Sequence, residues 1–366
     1  MVDKSLQKFA ARVAQIERAV FRQRRALPPP RLAPAGVTGP TAPPAGADWA
    51  EVPVGGRWGG YGQTVWLHGA LAVPPEWAGE RVDLLVRLGD YALIAGDLLI
   101  AGPEALAYLD GLPFAGVDRW HDALLLTARA RGDERFALAL EVYSGRIAEP
   151  HPLRQYELAT RDPDADGLAG DLRAAYDALT ILDPAGADAA LLSRAIDAAL
   201  ALVDFRQPGS AAFYGSLAPA RAAFAAGVGG YRHGTRPRVV ATGHAHIDVA
   251  WHWTLAQTRR KSARTFATVL RLMEEYPEYH FTQSQPQVYQ YVKEDEPALY
   301  AQIKARVAEG RWEPTGAMWL EADTNLPNGE SLVRQCVYGM RFFEEEFGRR
   351  TTVLWLPDVF GYSWAL

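Results

Sequence analysis

The chain has 366 residues, enough for two or three domains, and 49% of them are hydrophobic against 22% charged, which allows sizeable cores and excludes wholesale disorder. Lys and Arg total 38 against 43 Asp and Glu, a net charge of −5, and beyond the short Arg22–Arg25 stretch no basic block offers a nucleic-acid surface. Cys336 is the sole cysteine, so no intrachain disulfide forms; together with a charged N-terminus lacking an apolar leader and no run of about 18 apolar residues, this predicts a cytoplasmic protein outside the membrane.

Leu6, Phe9, Val13, Ile16 and Val20 recur at helical spacing, predicting an N-terminal helix that docks on its own protein or on a second subunit, which leaves room for a homo-oligomer. Seven of the 25 prolines crowd between Pro28 and Pro44, and this stretch reads as an extended connector, so residues 1–48 are expected to be a helix and linker. From 49 to 150 the period becomes two: Val82, Leu84, Val86 and Leu88 alternate with polar residues, as do Phe136, Leu138, Leu140 and Val142. Gly-rich turns divide these runs, which argues an antiparallel, jelly-roll-like β-sandwich. Residues 151–237 are expected to be a helical connector, Ala- and Leu-rich from 170 to 226 and ending in the Gly227–Pro237 loop.

From 238 to 366 strands and helices alternate. Strands are predicted at Arg238–Gly243, Tyr279–Ser284, from Arg311, and at Thr352–Leu356. Helix faces are predicted at Ala263–Met273, Pro297–Glu309 and Leu332–Phe347, the last with Gly348 as its C-cap. Such alternation implies a parallel sheet with covering helices, whose ligands lie at the carboxyl ends of the strands. The fold class is therefore all-β followed by α/β, the latter an incomplete, irregular parallel (β/α) barrel.

Two segments occupy those strand ends. Gly243-His244-Ala245-His246-Ile247-Asp248 follows the first strand, and in an extended backbone residues i and i+2 share a side, so His246 and Asp248 can converge on one cation. An imidazole nitrogen with a carboxylate oxygen suits a divalent metal; a hydrogen-bonded pair at a strand end is the ordinary alternative. His244, on the same alternation, reads as a strand-end or supporting histidine. After the fourth strand, Pro357-Asp358-Val359-Phe360-Gly361-Tyr362-Ser363 aims the Asp358 carboxylate either into a cleft or into a turn.

Together the two segments resemble glycoside hydrolase family 38, the class II α-mannosidases, in the branch with a β-rich domain ahead of the barrel. His246, Asp248 and Trp251 match the family's metal-binding strand end; Asp358, Phe360, Gly361 and Ser363 match its nucleophile motif; Trp319–Gln335 resembles the segment between them. The resemblance implies Zn²⁺ held by His246, Asp248 and Asp358, Asp358 as nucleophile, and Trp251 and Phe360 as walls for the sugar. It implies release of terminal α-mannose from oligosaccharides by a retaining mechanism. His252, Thr254 and Gln257 depart from the family pattern. The family's fourth ligand and its acid/base lie well beyond the nucleophile, whereas Leu366 stands eight residues after Asp358, so the chain is expected to be an incomplete fragment, inactive alone. Two other functions fit fewer residues. One is a metal-dependent polysaccharide deacetylase. The other is a non-catalytic carbohydrate-binding module presenting Trp58, Tyr61, Trp66 and Trp120.

Overall fold

The structure, a computed structural model, describes residues 2–34, 48–91, 102–146, 148–229, 238–364 and 366. The Gly-rich 230–237 loop and much of the proline-rich connector fall outside these residues.

Two antiparallel sheets form the sandwich. One has four strands in the order Phe21–Ala26, Gln155–Arg161, Val82–Arg87, Ala123–Thr127; the other has six, in the order Ala50–Glu51, Arg31–Pro34, Thr64–Ala72, Arg135–Tyr143, Glu104–Leu109, Leu112–Val117. Alternate residues of both sheets, among them Leu67, Leu84, Val86, Leu138, Leu140 and Leu158, close a common core. The sandwich is wider than the expected 49–150. Phe21–Ala26 and Arg31–Pro34, which fall in the expected helix-and-linker region 1–48, are strands, and Gln155–Arg161 precedes the helices. The first of these is an edge strand of sequence Phe-Arg-Gln-Arg-Arg-Ala whose arginines face water, so it shows no apolar alternation. In the second, Pro34 is the terminal pairing residue, where a missing N–H costs no interior ladder bond.

Helix α1 (Val2–Arg18) lays Phe9, Val13 and Ile16 against α2 (Pro163–Ile181), α3 (Ala187–Leu202) and α4 (Ala211–Gly229), and these residues are at most 1% exposed. The apolar stripe of α1 is thus consumed within the chain. Asp162 caps α2, accepting from the Asp164 and Ala165 N–H groups, with Pro163 at the first helical position where its missing donor is harmless.

The C-terminal part holds three parallel strands side by side in chain order: Gly243–His244, Phe281–Gln283 and Trp312–Pro314. Helix α5 (Leu255–Glu275) links the first two; α6 (Pro286–Asp295) and α7 (Pro297–Ala308) link the second and third; α8 (Gly329–Phe347) follows. Two expected strands differ. Arg238–Thr242 is coil, with Val239 and Val240 about 80% exposed, because the neighbouring strand begins only at Phe281 and gives upstream residues no ladder. Thr352–Leu356 reduces to a single parallel bridge between Gly316 and Leu354, since the adjoining strand ends at Pro314, which has no N–H. Gly348 caps α8 at φ 63°, as its position suggests. Gly339 is required where α8 crosses the 317–318 turn: a Cβ there would lie 2.1 Å from the Ala317 carbonyl oxygen.

Sandwich and C-terminal part share one core. Trp66, Leu106 and Tyr108 from the six-stranded sheet pack with Phe266, Phe281, Tyr289 and Trp312. Ion pairs line the same seam: Lys261 Nζ and Arg264 Nη2 reach Glu104 at 2.7 and 2.6 Å, and Arg81 Nη2 reaches Glu275 at 2.7 Å.

A candidate metal centre at the strand ends

The chain leaves its first parallel strand at His244 and runs on extended, so His246 and Asp248 fall on one side. His246 Nε2 lies 3.3 Å from Asp248 Oδ1. Asp358, 110 residues later in sequence, sits in the turn after the Gly316–Leu354 bridge, with Oδ2 3.4 Å from the same His246 nitrogen. One ligand atom from each of the three residues lies within 4.8 Å of the others, an arrangement that can hold a metal ion. The three side chains expected to converge are thus brought together at one rim of the sheet.

The turn bearing Asp358 is held from behind. The Gly361 carbonyl accepts from Asn325 Nδ2 at 2.9 Å, the Ser363 N–H donates to Thr324 Oγ1 at 2.9 Å, and the Tyr362 hydroxyl donates to the Leu356 carbonyl at 2.8 Å. Gly361 takes φ 79°, which a residue with a Cβ adopts only under strain.

Sequence reasoning missed Glu321. Its side chain is 3% exposed and lies 2.5 Å from His246 Nδ1, while Ser284 Oγ donates to its other oxygen. A carboxylate on Nδ1 fixes the ring, placing the Nδ1 proton toward Glu321 and the Nε2 lone pair toward Asp248 and Asp358. The hydrogen bond to Glu321 is also the chief reason the ring's pKa rises to about 9, against the opposing effect of burial. A signal existed in principle: an acid in the segment between the two motifs. Yet only burial against His246 separates Glu321 from neighbouring Asp323, whose carboxylate instead caps a turn by accepting from the N–H groups of Asn325 and Leu326.

His244 stands behind the centre. Its Nε2 accepts from Trp355 Nε1 at 3.1 Å, which occupies the lone pair a metal would need, and desolvation lowers its pKa. Both expected sugar walls are exposed. Trp251 is 48% exposed, meets His252 edge-on at 4.2 Å and lines a cleft against the sandwich. Phe360 projects from the Asp358 turn, 86% exposed. Of the sandwich aromatics, Trp58 and Trp66 are core residues, whereas Tyr61 and Trp120 face solvent.

Residues 37–159 match the α-mannosidase jelly roll domain, and residues 236–366 match the N-terminal domain of glycosyl hydrolases family 38. The chain thus joins a jelly roll domain to a family 38 N-terminal domain whose strand ends carry three residues able to hold a metal ion. The chain belongs to glycoside hydrolase family 38. Alpha-mannosidase G of Dictyostelium discoideum is 52% identical over 129 residues, covering 35% of this chain and 12% of that protein. Alpha-mannosidase 2C1 of Homo sapiens is 32% identical over 335 residues, covering 86% of this chain and 30% of that protein. The alpha-mannosidase of Saccharomyces cerevisiae is 42% identical over 126 residues, 34% of this chain and 12% of that protein. The chain therefore spans less than a third of the length of these relatives. Among the described residues, no helix is long and apolar enough to cross a membrane.

Proposed function

We propose that this chain forms the metal- and nucleophile-bearing part of a retaining, zinc-dependent α-mannosidase that releases terminal α-mannose from oligosaccharides. The observation that carries it is the convergence of His246, Asp248 and Asp358 on one point. Tetrahedral Zn²⁺ with bonds of about 2.0–2.1 Å sets its ligand atoms roughly 3.3–3.4 Å apart. The separations from His246 Nε2 to the two aspartates are 3.3 and 3.4 Å. One nitrogen and two carboxylate oxygens, with the nitrogen oriented by Glu321, fit this ion.

His246, Asp248 and Asp358 would hold the zinc. When bound, the ion supplies a Lewis-acid hold on vicinal sugar hydroxyls. Asp358, at 49% side-chain exposure, is open to a substrate. Its carboxylate oxygen forms a bond to the anomeric carbon as the bond from that carbon to the leaving oxygen breaks. The leaving oxygen takes a proton from a second carboxyl group, roughly 5–5.5 Å away in retaining enzymes. The family resemblance puts that group beyond Leu366, so no residue of this chain is assigned to it. Water, deprotonated by the same second group, then attacks the anomeric carbon as its bond to the Asp358 carboxylate breaks, which frees mannose with overall retention. The complete barrel belongs to this proposal, as does activity only in a longer polypeptide.

Two measurements test it. In the full-length enzyme, Asp358→Ala abolishes hydrolysis of an aryl α-mannoside; near-normal turnover removes Asp358 from the chemistry. In the 366-residue chain, His246→Ala strips zinc as read by elemental analysis of the purified protein, and full retention of zinc would break the proposed centre.

A further inference from the structure

The first parallel strand stops pairing at His244, opposite Thr282. His246, Ile247 and Asp248 therefore lie beyond the ladder, and side chains hold their backbone instead. Gln285 Nε2 donates to the Ile247 carbonyl at 3.0 Å, and Thr258 Oγ1 lies 3.4 Å from the Asp248 carbonyl. The threonine contact is the weaker, since its single proton also has the Thr254 carbonyl at 3.4 Å. The glutamine contact is buried: Gln285 is 2% exposed and Ile247 3%. Ile247 is the one residue between the two ligands, so this bond fixes the direction in which His246 and Asp248 leave the main chain.

Gln285 reaches that carbonyl from an unusual backbone. It opens α6, just after the second parallel strand, with φ 61° and ψ 79°, in the left-handed region. Among the described residues, two other non-glycine residues have positive φ, Asp110 and Ala317. Asp110 stands with Gly111 in the hairpin between Glu104–Leu109 and Leu112–Val117, where such angles are ordinary. A glutamine there is strained, and strain of this kind persists only where surrounding contacts enforce it. The geometry shows what the turn achieves. In an extended strand consecutive side chains point to opposite faces. Here the consecutive Ser284 and Gln285 both serve the metal centre. Ser284 Oγ donates to the Glu321 carboxylate that holds His246 Nδ1, while Gln285 grips the main chain between His246 and Asp248. One strand end thus braces His246 through its ring and through its backbone.

We propose that Gln285 is a positioning residue of the metal centre: its carboxamide sets the spacing of His246 and Asp248 before an ion arrives. The inference deepens the zinc reading and rests on it. Loss of this amide bond weakens metal binding by about tenfold, the scale of outer partners that orient metal ligands.

Two variants of the 366-residue chain separate the side chain from the turn. Gln285→Asn keeps a residue at home in the left-handed region but withdraws the amide by about 1.5 Å, out of reach of the Ile247 carbonyl. Gln285→Met keeps the length and lacks the donor. Zinc affinity is read by chelator competition, and Co²⁺ loaded in place of zinc reports ligand geometry through its visible absorption. Both variants bind zinc about tenfold more weakly than the parent, and their Co²⁺ bands at saturation shift in position and intensity. A residue that only kept the fold together would lower the unfolding temperature and leave those bands where they are. Unshifted bands in both variants therefore overturn the proposal whatever the affinity does, and so does parental zinc affinity in both. A parent chain that binds neither zinc nor Co²⁺ refutes the metal reading itself, a result that needs no variant, and the role of Gln285 falls with it.

Discussion

Replacing Glu321 by Gln probes the metal centre without touching a proposed ligand. Glu321 acts on His246 in two opposed ways. Its charge strengthens Nε2 as a donor to a metal, an effect that for such outer partners amounts to about 10–100-fold in affinity. The same hydrogen bond is the chief cause, with the charges of Glu321 and Asp248 adding to it, of an imidazole pKa raised from 6.5 to about 9, so at pH 7 a proton competes for that nitrogen. Two pKa units amount to a competition of about 100-fold, or about 2.7 kcal/mol. The raised pKa means the proton is fully held below pH 6.5 and lost as pH climbs through 9, so zinc affinity of the parent chain climbs about tenfold per unit from pH 7 to 9. In Glu321→Gln the ring returns toward its ordinary value and the profile flattens. The variant therefore binds zinc nearly as well as the parent at pH 7 and one to two decades more weakly at pH 9. Chelator competition across that range reads the affinities, and calorimetry in buffers of different ionisation enthalpy reads about one proton released per ion at pH 7 in the parent and far less in the variant. Parallel pH profiles for the two proteins would refute the role given to Glu321.

Gly339→Ala drives a methyl group into the Ala317 carbonyl and lowers stability by about 1–3 kcal/mol in urea denaturation; because the displaced turn leads to Glu321, zinc affinity falls with it. An unchanged midpoint would mean the helix-to-turn contact is loose. Trp312→Ala empties a site ringed by Phe266, Phe281 and Tyr289 and costs about 3–5 kcal/mol, whereas Trp312→Phe loses chiefly the hydrogen bond to the Tyr289 hydroxyl. Denaturant midpoints check both. Glu296 lies 4% exposed at the seam, accepting from the Tyr108 hydroxyl with Arg260, Glu141 and Asp295 near, and burial raises its pKa from 4.5 to about 7. Its favourable neutral form is complete below pH 4.5 and lost as pH rises through 7, so Glu296→Gln has a melting temperature that falls less between pH 5 and 8 than that of the parent. Equal slopes would contradict this.

The site was legible where chemistry left a local mark. His246 and Asp248 declare themselves by a spacing of two after an apolar run, and Asp358 by a β-branched apolar run, a proline and a glycine-bearing turn. Glu321 was not, because its role exists only through burial against a residue 75 positions earlier. Helices with a full apolar stripe, α1 and α8 above all, follow their periodicity. Phe21–Ala26 escaped because an edge strand armoured with arginine carries no alternation. The strand expected at Thr352–Leu356 failed for the opposite reason: its composition is suitable, but pairing depends on a neighbour that ends in proline.

The seam also decides how this chain can be divided. Residues 238–366 made alone would bare the face of α5 that now rests on Trp66, Leu106 and Tyr108, and would leave Lys261 and Arg264 without Glu104. A hydrolase half freed of its jelly roll is therefore expected to clump rather than fold. Exchanging jelly rolls between relatives requires that the Glu104, Tyr108 and Glu141 side travel together with the matching residues of α5.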